Sequence, residues 1–104
     1  MTLEDRCKIA DLYTEYGALL TKKQADMLQM YCELDLSLTE VAEQFGVSRQ
    51  AVRDSIMHAV ASLEHYEKVL RNVEKKEQIA KLLYMSSRES WEETVAKIVA
   101  LLED

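Results

Sequence analysis

With no proline and only two glycines, Gly17 and Gly46, this chain offers a growing helix few places to stop. Leu, Ala, Glu, Lys and Met are abundant, all of them good helix formers. A length of 104 residues with 48% hydrophobic side chains suits one core of ordinary size and leaves little room for a second. The expected class is therefore all-α, with about five helices forming a single domain over 1–104. The last part of it, 74–104, reads as a C-terminal helical extension.

Gly46 lies in the stretch with the most definite local chemistry. Ser37 stands three residues before Glu40, the spacing at which the hydroxyl accepts from the Glu40 backbone N–H while the carboxylate reaches back to the Ser37 N–H. A short helix begins there, with Val41, Ala42 and Phe45 on one face, and small Ala42 permits a close crossing by a second helix. Gly46 can take the left-handed conformation that closes the helix, and Val47 then folds back on the core. Ser48 can cap the next helix, which turns Val52 and Ile56 inward and leaves Arg49, Gln50 and Arg53 outward on its first two turns. Two capped helices joined by a glycine turn make a helix-turn-helix over 37–57. The exposed start of its second helix is where such a motif meets base edges and phosphates. Ser48, Arg49, Gln50 and Arg53 are the candidate DNA contacts in the major groove, and Thr39, near the start of the first helix, is a candidate phosphate contact.

This stretch resembles the helix-turn-helix of region four of bacterial sigma factors. From residue 3 to about 70 the chain also resembles the YlxM-like family of small bacterial helix-turn-helix proteins, including the Leu19-Leu20-Thr21-Lys22-Lys23-Gln24 helix start and the Ser37-Leu38-Thr39-Glu40-Val41-Ala42 run. The resemblance implies an all-helical DNA-binding regulatory protein with a link to the signal recognition particle pathway.

Charge works against unaided DNA binding. The chain has 13 basic and 19 acidic residues, whereas affinity for nucleic acid comes largely from neutralising phosphates with Lys and Arg. Between 37 and 71, Arg49, Arg53, Lys68 and Arg71 face five acidic residues, Glu40, Glu43, Asp54, Glu64 and Glu67, so the motif is close to neutral. Arg49 and Arg53 share a face one turn apart, and Asp54 beside Arg53 weakens their patch. A dimer would double the contacts. An alternative function is a protein or ribonucleoprotein adaptor, in which the acidic surface and a long helix meet a basic partner such as a component of the signal recognition particle.

Elsewhere the pattern predicts a first amphipathic helix with Leu3, Cys7, Ala10, Tyr13, Gly17 and Leu20 inward, closing near Gly17. Thr21 and Gln24 form a second capping box, opening a helix whose inner face is Ala25, Leu28, Tyr31, Cys32 and Leu34. Val52, Ile56, Ala59, Leu63, Tyr66, Leu70 and Val73 are spaced alternately four and three apart, a heptad seam. With no proline or glycine after Gly46, one helix is expected from Arg49 to about Asn72 or beyond. Ile79, Leu82, Leu83 and Met85 form an apolar cluster, Ser86 to Arg88 break the pattern, and Ser90 with Glu93 makes a third capping box. In the last helix Trp91, Val95, Ile98, Val99 and Leu102 share a face that either packs back on the long helix or meets a second subunit. A homodimer through Leu63, Tyr66, Leu70, Trp91 and Val95 is expected. The tyrosines read mostly as core residues with a polar tip, and Met27, Met30, Met57 and Met85 as fillers of a core.

Cys7 and Cys32 are too few for a disulfide framework, and neither has metal-ligand spacing to a histidine. His58 and His65 face the same way without completing a site. No metal, cofactor or membrane association is expected. The carboxylates are interleaved with Lys and Arg at salt-bridge spacings, which argues against an enzyme. Nothing at the N-terminus reads as a secretory signal, so a cytoplasmic location is expected.

Overall fold

The computed structural model describes residues 3–85 and 90–103, and these form helices joined by turns, an all-α architecture. The order is α1 (Leu3–Tyr16), a 3-10 turn (Gly17–Leu19), α2 (Lys22–Cys32), α3 (Leu38–Phe45), α4 (Arg49–Leu70), α5 (Asn72–Met85) and α6 (Trp91–Glu103). Two compact units result, Met1–Leu70 and Arg71–Asp104. The break expected at Ser86 to Arg88 lies outside the described residues, as does the side chain of Leu3.

In the first unit α1, α2 and α3 all pack on α4. The reason is the apolar stripe of α4: Val52, Ile56, Ala59 and Leu63 are all buried and recur at helical spacing. Around them close Ile9, Leu12 and Tyr16 of α1, Met27 and Leu28 of α2, and Val41 and Ala42 of α3. The core face of α1 is thus turned from the expected one: Cys7 is exposed, and Ala10 and Tyr13 lie at its edge. Gly17 is buried at the helix end as expected, and a Cβ there would stand 3.2 Å from the Tyr13 ring. Tyr16 is buried up to its hydroxyl, which donates to Glu67 Oε1 at 2.6 Å and ties α1 to the far end of α4.

Both upstream capping boxes form. Thr21 and Gln24 open α2, and Ser37 and Glu40 open α3, the Ser37 Oγ accepting from the Glu40 N–H at 3.1 Å and the Glu40 carboxylate accepting from the Ser37 N–H at 3.2 Å. Between these helices the chain turns through Asp35, a non-glycine residue at φ 54°, whose carboxylate accepts from Arg6 Nη1 at 2.6 Å and links the turn to α1. Leu34 falls in that turn, past the end of α2, and is exposed instead of lining the inner face. Replacing Ser37 by Ala should leave the Glu40 N–H without its cap and cost about 0.5–2 kcal/mol. Chemical unfolding followed by circular dichroism would report this as a lowered midpoint, with Ser37→Asp retaining wild-type stability.

The long helix is shorter than the sequence suggests. It ends at Leu70, because Arg71 adopts φ 56° and breaks the backbone hydrogen-bond ladder. The Arg71 C=O then accepts from the Lys75 N–H at 2.9 Å and its guanidinium donates to Glu74 at 3.1 Å, so the break also starts α5.

The second unit is a pair of packed helices, α5 and α6. Ser90 Oγ accepts from the Glu93 N–H at 3.2 Å, the expected cap of α6. Thr94 is fully buried, whereas Trp91, Val95, Val99 and Leu102 of α6 are all exposed. Tyr84 at 91% and Met85 at 67% exposure, together with Met57 at 61% on α4, correct the expectation that these side chains fill a core. No described helix is long and apolar enough to cross a membrane.

Candidate nucleic-acid interface

The helix-turn-helix is α3, its glycine turn and the first turns of α4. Gly46 stands at φ 65°, ψ 35°, the left-handed conformation open to glycine, and the N–H groups of Gly46 and Val47 both donate to the Ala42 carbonyl. The chain therefore leaves α3 along one defined path. Ser48 Oγ accepts from the Ala51 N–H at 3.0 Å, and the Ser48 carbonyl accepts from the Val52 N–H, which fixes the first turn of α4.

That first turn decides which side chains reach solvent. Val52 and Ile56 enter the core, and Ser48, Arg49, Gln50 and Arg53 are exposed. Arg49, Gln50 and Arg53 line a surface depression of about 280 Å³ together with Leu38 from the start of α3. The two helices thus bring four residues, fifteen positions apart at the extremes, to one surface. Thr39 is exposed on the first turn of α3, next in sequence to Leu38 and outside the lining of that depression.

Neither Arg49 nor Arg53 is paired with a carboxylate among the described residues, so both guanidinium groups are available to an external anion. Gln50 is constrained: its Nε2 donates to Asp54 Oδ1 at 2.8 Å, one turn further along α4. The sequence places Asp54 beside Arg53, but its hold on Gln50 follows from an i, i+4 spacing that also stands in the sequence. A base that takes the Gln50 amide must compete with this bond.

The residues expected at a dimer contact separate into two groups. Leu63 is fully buried in the first unit, enclosed by its own chain, and cannot meet a second subunit. Tyr66 is half-buried and packs its ring 6.1 Å from that of Tyr16. Leu70 is exposed at the end of α4, and Trp91 and Val95 are exposed on α6. His58 and His65 are both exposed on α4, and no three His, Cys, Asp or Glu side chains among the described residues gather as a metal site. Away from this face, partial burial pushes the Cys32 thiol above its ordinary pKa, with Arg6 pulling the other way and Glu33 and Asp35 adding to the rise. It stays protonated, and therefore poorly nucleophilic, at neutral pH.

A capped helix, a left-handed glycine turn and a second capped helix with a polar exposed start define a helix-turn-helix protein. Residues 3–101 match the family described as "Putative helix-turn-helix protein, YlxM / p13 like", and the chain belongs to that family. The chain is 38% identical over 107 residues to the UPF0122 protein YlxM of Bacillus subtilis, a match covering 99% of this chain and 97% of the relative. It is 41% identical over 107 residues to a UPF0122 protein of Geobacillus kaustophilus, covering 98% and 97% of the two chains. A UPF0122 protein of Fusobacterium nucleatum is 38% identical over 99 residues, covering 95% and 96%. The family description names a structural motif and no reaction.

Proposed function

We propose that this protein is a DNA-binding regulator that acts as a dimer. The observation that carries the reading is the exposed group Arg49, Gln50 and Arg53 at the start of α4, on a helix whose opposite side is locked into the core. Ser48, Arg49, Gln50 and Arg53 enter the major groove, and Thr39 meets a phosphate at the flank. Two arginines give one protomer few phosphate contacts, so affinity requires a second copy. The exposed stripe of Trp91, Val95, Val99 and Leu102 on α6 supplies an apolar contact for it.

The test is a titration against DNA fragments from around the protein's own operon over a series of salt concentrations. Saturable, sequence-selective binding that weakens steeply with salt is the expected result, and no binding at low salt overturns the reading. The dimer has its own test. Trp91→Ser combined with Val95→Glu should bring the solution mass down to that of a monomer, whereas a wild-type protein that is already monomeric at micromolar concentration removes the dimer.

One observation favours a second reading. Residues 1–70 hold twelve acidic and seven basic side chains, an excess that repels DNA away from the motif itself. In this reading the helix-turn-helix is kept as a frame, and the acidic surface binds a basic protein or ribonucleoprotein partner, such as a component of the signal recognition particle. Incubation with the protein and RNA of that particle should then yield a complex that high salt dissolves. The absence of any complex at micromolar concentration ends this alternative.

A further inference from the structure

Met57 stands 61% exposed on α4, one turn beyond Arg53. We infer that it is a specificity-determining residue, which recognises a thymine in the major groove through the C5 methyl group; the inference rests on the DNA-binding reading above.

The phase of α4 carries it. Val52, Ile56 and Ala59 are buried, and that anchoring fixes the direction of the side chains between them. At about 100° per residue, Met57 projects about 20° from Gln50 and about 40° from Arg53 around the helix axis, so the three stand in one row. Gln50, Arg53, Asp54 and Met57 are thereby spaced i, i+3, i+4 and i+7, the spacing at which a helix lying in the major groove meets successive base edges. Because α4 continues to Leu70, Met57 is held on regular helix, about 10 Å along the axis from Gln50, or about three base-pair steps. The row ends there. Ala61, the next residue on this face, is too short to reach a base, and Glu64 is exposed and carries a charge that phosphates repel.

The chemistry of the side chain selects the base. Among the four bases, thymine alone presents a methyl group in the major groove. The unbranched, polarizable methionine chain can turn to cover that methyl, and its own exposed apolar surface leaves water in the same step. Arg49, Gln50 and Arg53 can read donors and acceptors, and Met57 adds the apolar contact that they cannot make. A protein partner is a poorer match. The neighbours of Met57 on the helix surface are charged Arg53 and Asp54 on one side, and half-buried Val60 and short Ala61 on the other, so no contiguous apolar patch surrounds it.

The probe is the shortest operon fragment bound in the titration above, prepared with each thymine in turn replaced by deoxyuridine, which deletes the methyl group and nothing else. At one thymine of each half-site the wild-type protein should lose affinity by about three- to tenfold. Met57→Ala should bind the thymine fragment more weakly by the same factor and be indifferent to that replacement, whereas Met57→Leu should keep the discrimination. The salt slope should be equal in wild type and Met57→Ala, because no phosphate contact is removed. Circular dichroism checks that the variants keep their helix, and the exposure of Met57 makes loss of the fold an unexpected result. If the wild type binds no DNA, the DNA-binding reading falls and this inference with it. Selective binding that ignores every deoxyuridine replacement, or discrimination that persists in Met57→Ala, overturns the inference alone and leaves that reading standing. A lower solution mass for Met57→Ala than for wild type also overturns it, since Met57 would then face a second copy of the chain.

Discussion

Leu63→Ala should destabilise the protein by about 2–5 kcal/mol. Leu63 is fully buried at the point where α4 is covered by the helices packed on it, so truncation leaves a cavity that the rigid surroundings fill only in part. Against a total stability of roughly 5–15 kcal/mol for a domain of this size, that is a large share. Leu70→Ala provides the comparison, since Leu70 belongs to the same heptad seam and is 43% exposed. Its loss should cost well under half as much. Urea unfolding at two protein concentrations separates the possible origins. The Leu63→Ala effect is expected to be the same at both, because the side chains that surround Leu63 belong to its own chain, whereas a dimer contact would make the loss depend on concentration. A Leu63→Ala protein as stable as wild type would contradict a core position for this residue.

The contrast between Leu63 and Leu70 shows what the sequence could and could not say. Several features that depend on near neighbours in the chain were legible: the Ser37–Glu40 and Thr21–Gln24 boxes, the left-handed Gly46 and the Ser48 cap all form as read. The inward stripe from Val52 to Leu63 was legible as well, because an amphipathic period marks a buried face. Its continuation past Leu63 was not. Period alone cannot say where the neighbouring helices end, and the break at Arg71 comes without a glycine or proline to announce it. The first helix illustrates a second limit. Two overlapping stripes run along it, and tertiary packing selected Ile9, Leu12 and Tyr16 over the stripe through Cys7 and Ala10. The outward direction of Arg49, Gln50 and Arg53 could be read because Val52 and Ile56 fix the phase of α4, whereas the Gln50–Asp54 bond was open to the same spacing argument and was missed.

That bond gives the arginine face a prediction with two signs. If Arg49 and Arg53 contact DNA, replacing either by Ala should weaken specific binding by about 1–3 kcal/mol for a base contact, or lower the salt slope by about one for a phosphate contact. The pair replaced together should leave little specific binding, since the motif has no other basic side chain near its surface depression. Asp54 acts in the opposite direction. Its carboxylate holds the Gln50 amide at 2.8 Å and places a negative charge one residue from Arg53, so both of its effects oppose a DNA contact. Asp54→Asn removes the charge at nearly constant shape and should tighten binding, with Gln50→Ala added on top cancelling the part of the gain that comes from a freed amide. Band-shift titrations at two salt concentrations resolve these terms, because the charge contribution shrinks with added salt and the amide contribution does not. An adaptor with no DNA site would show neither sign. Loss of binding in Asp54→Asn would mean instead that the held Gln50 is the form that reads the base, with Asp54 serving to fix its orientation.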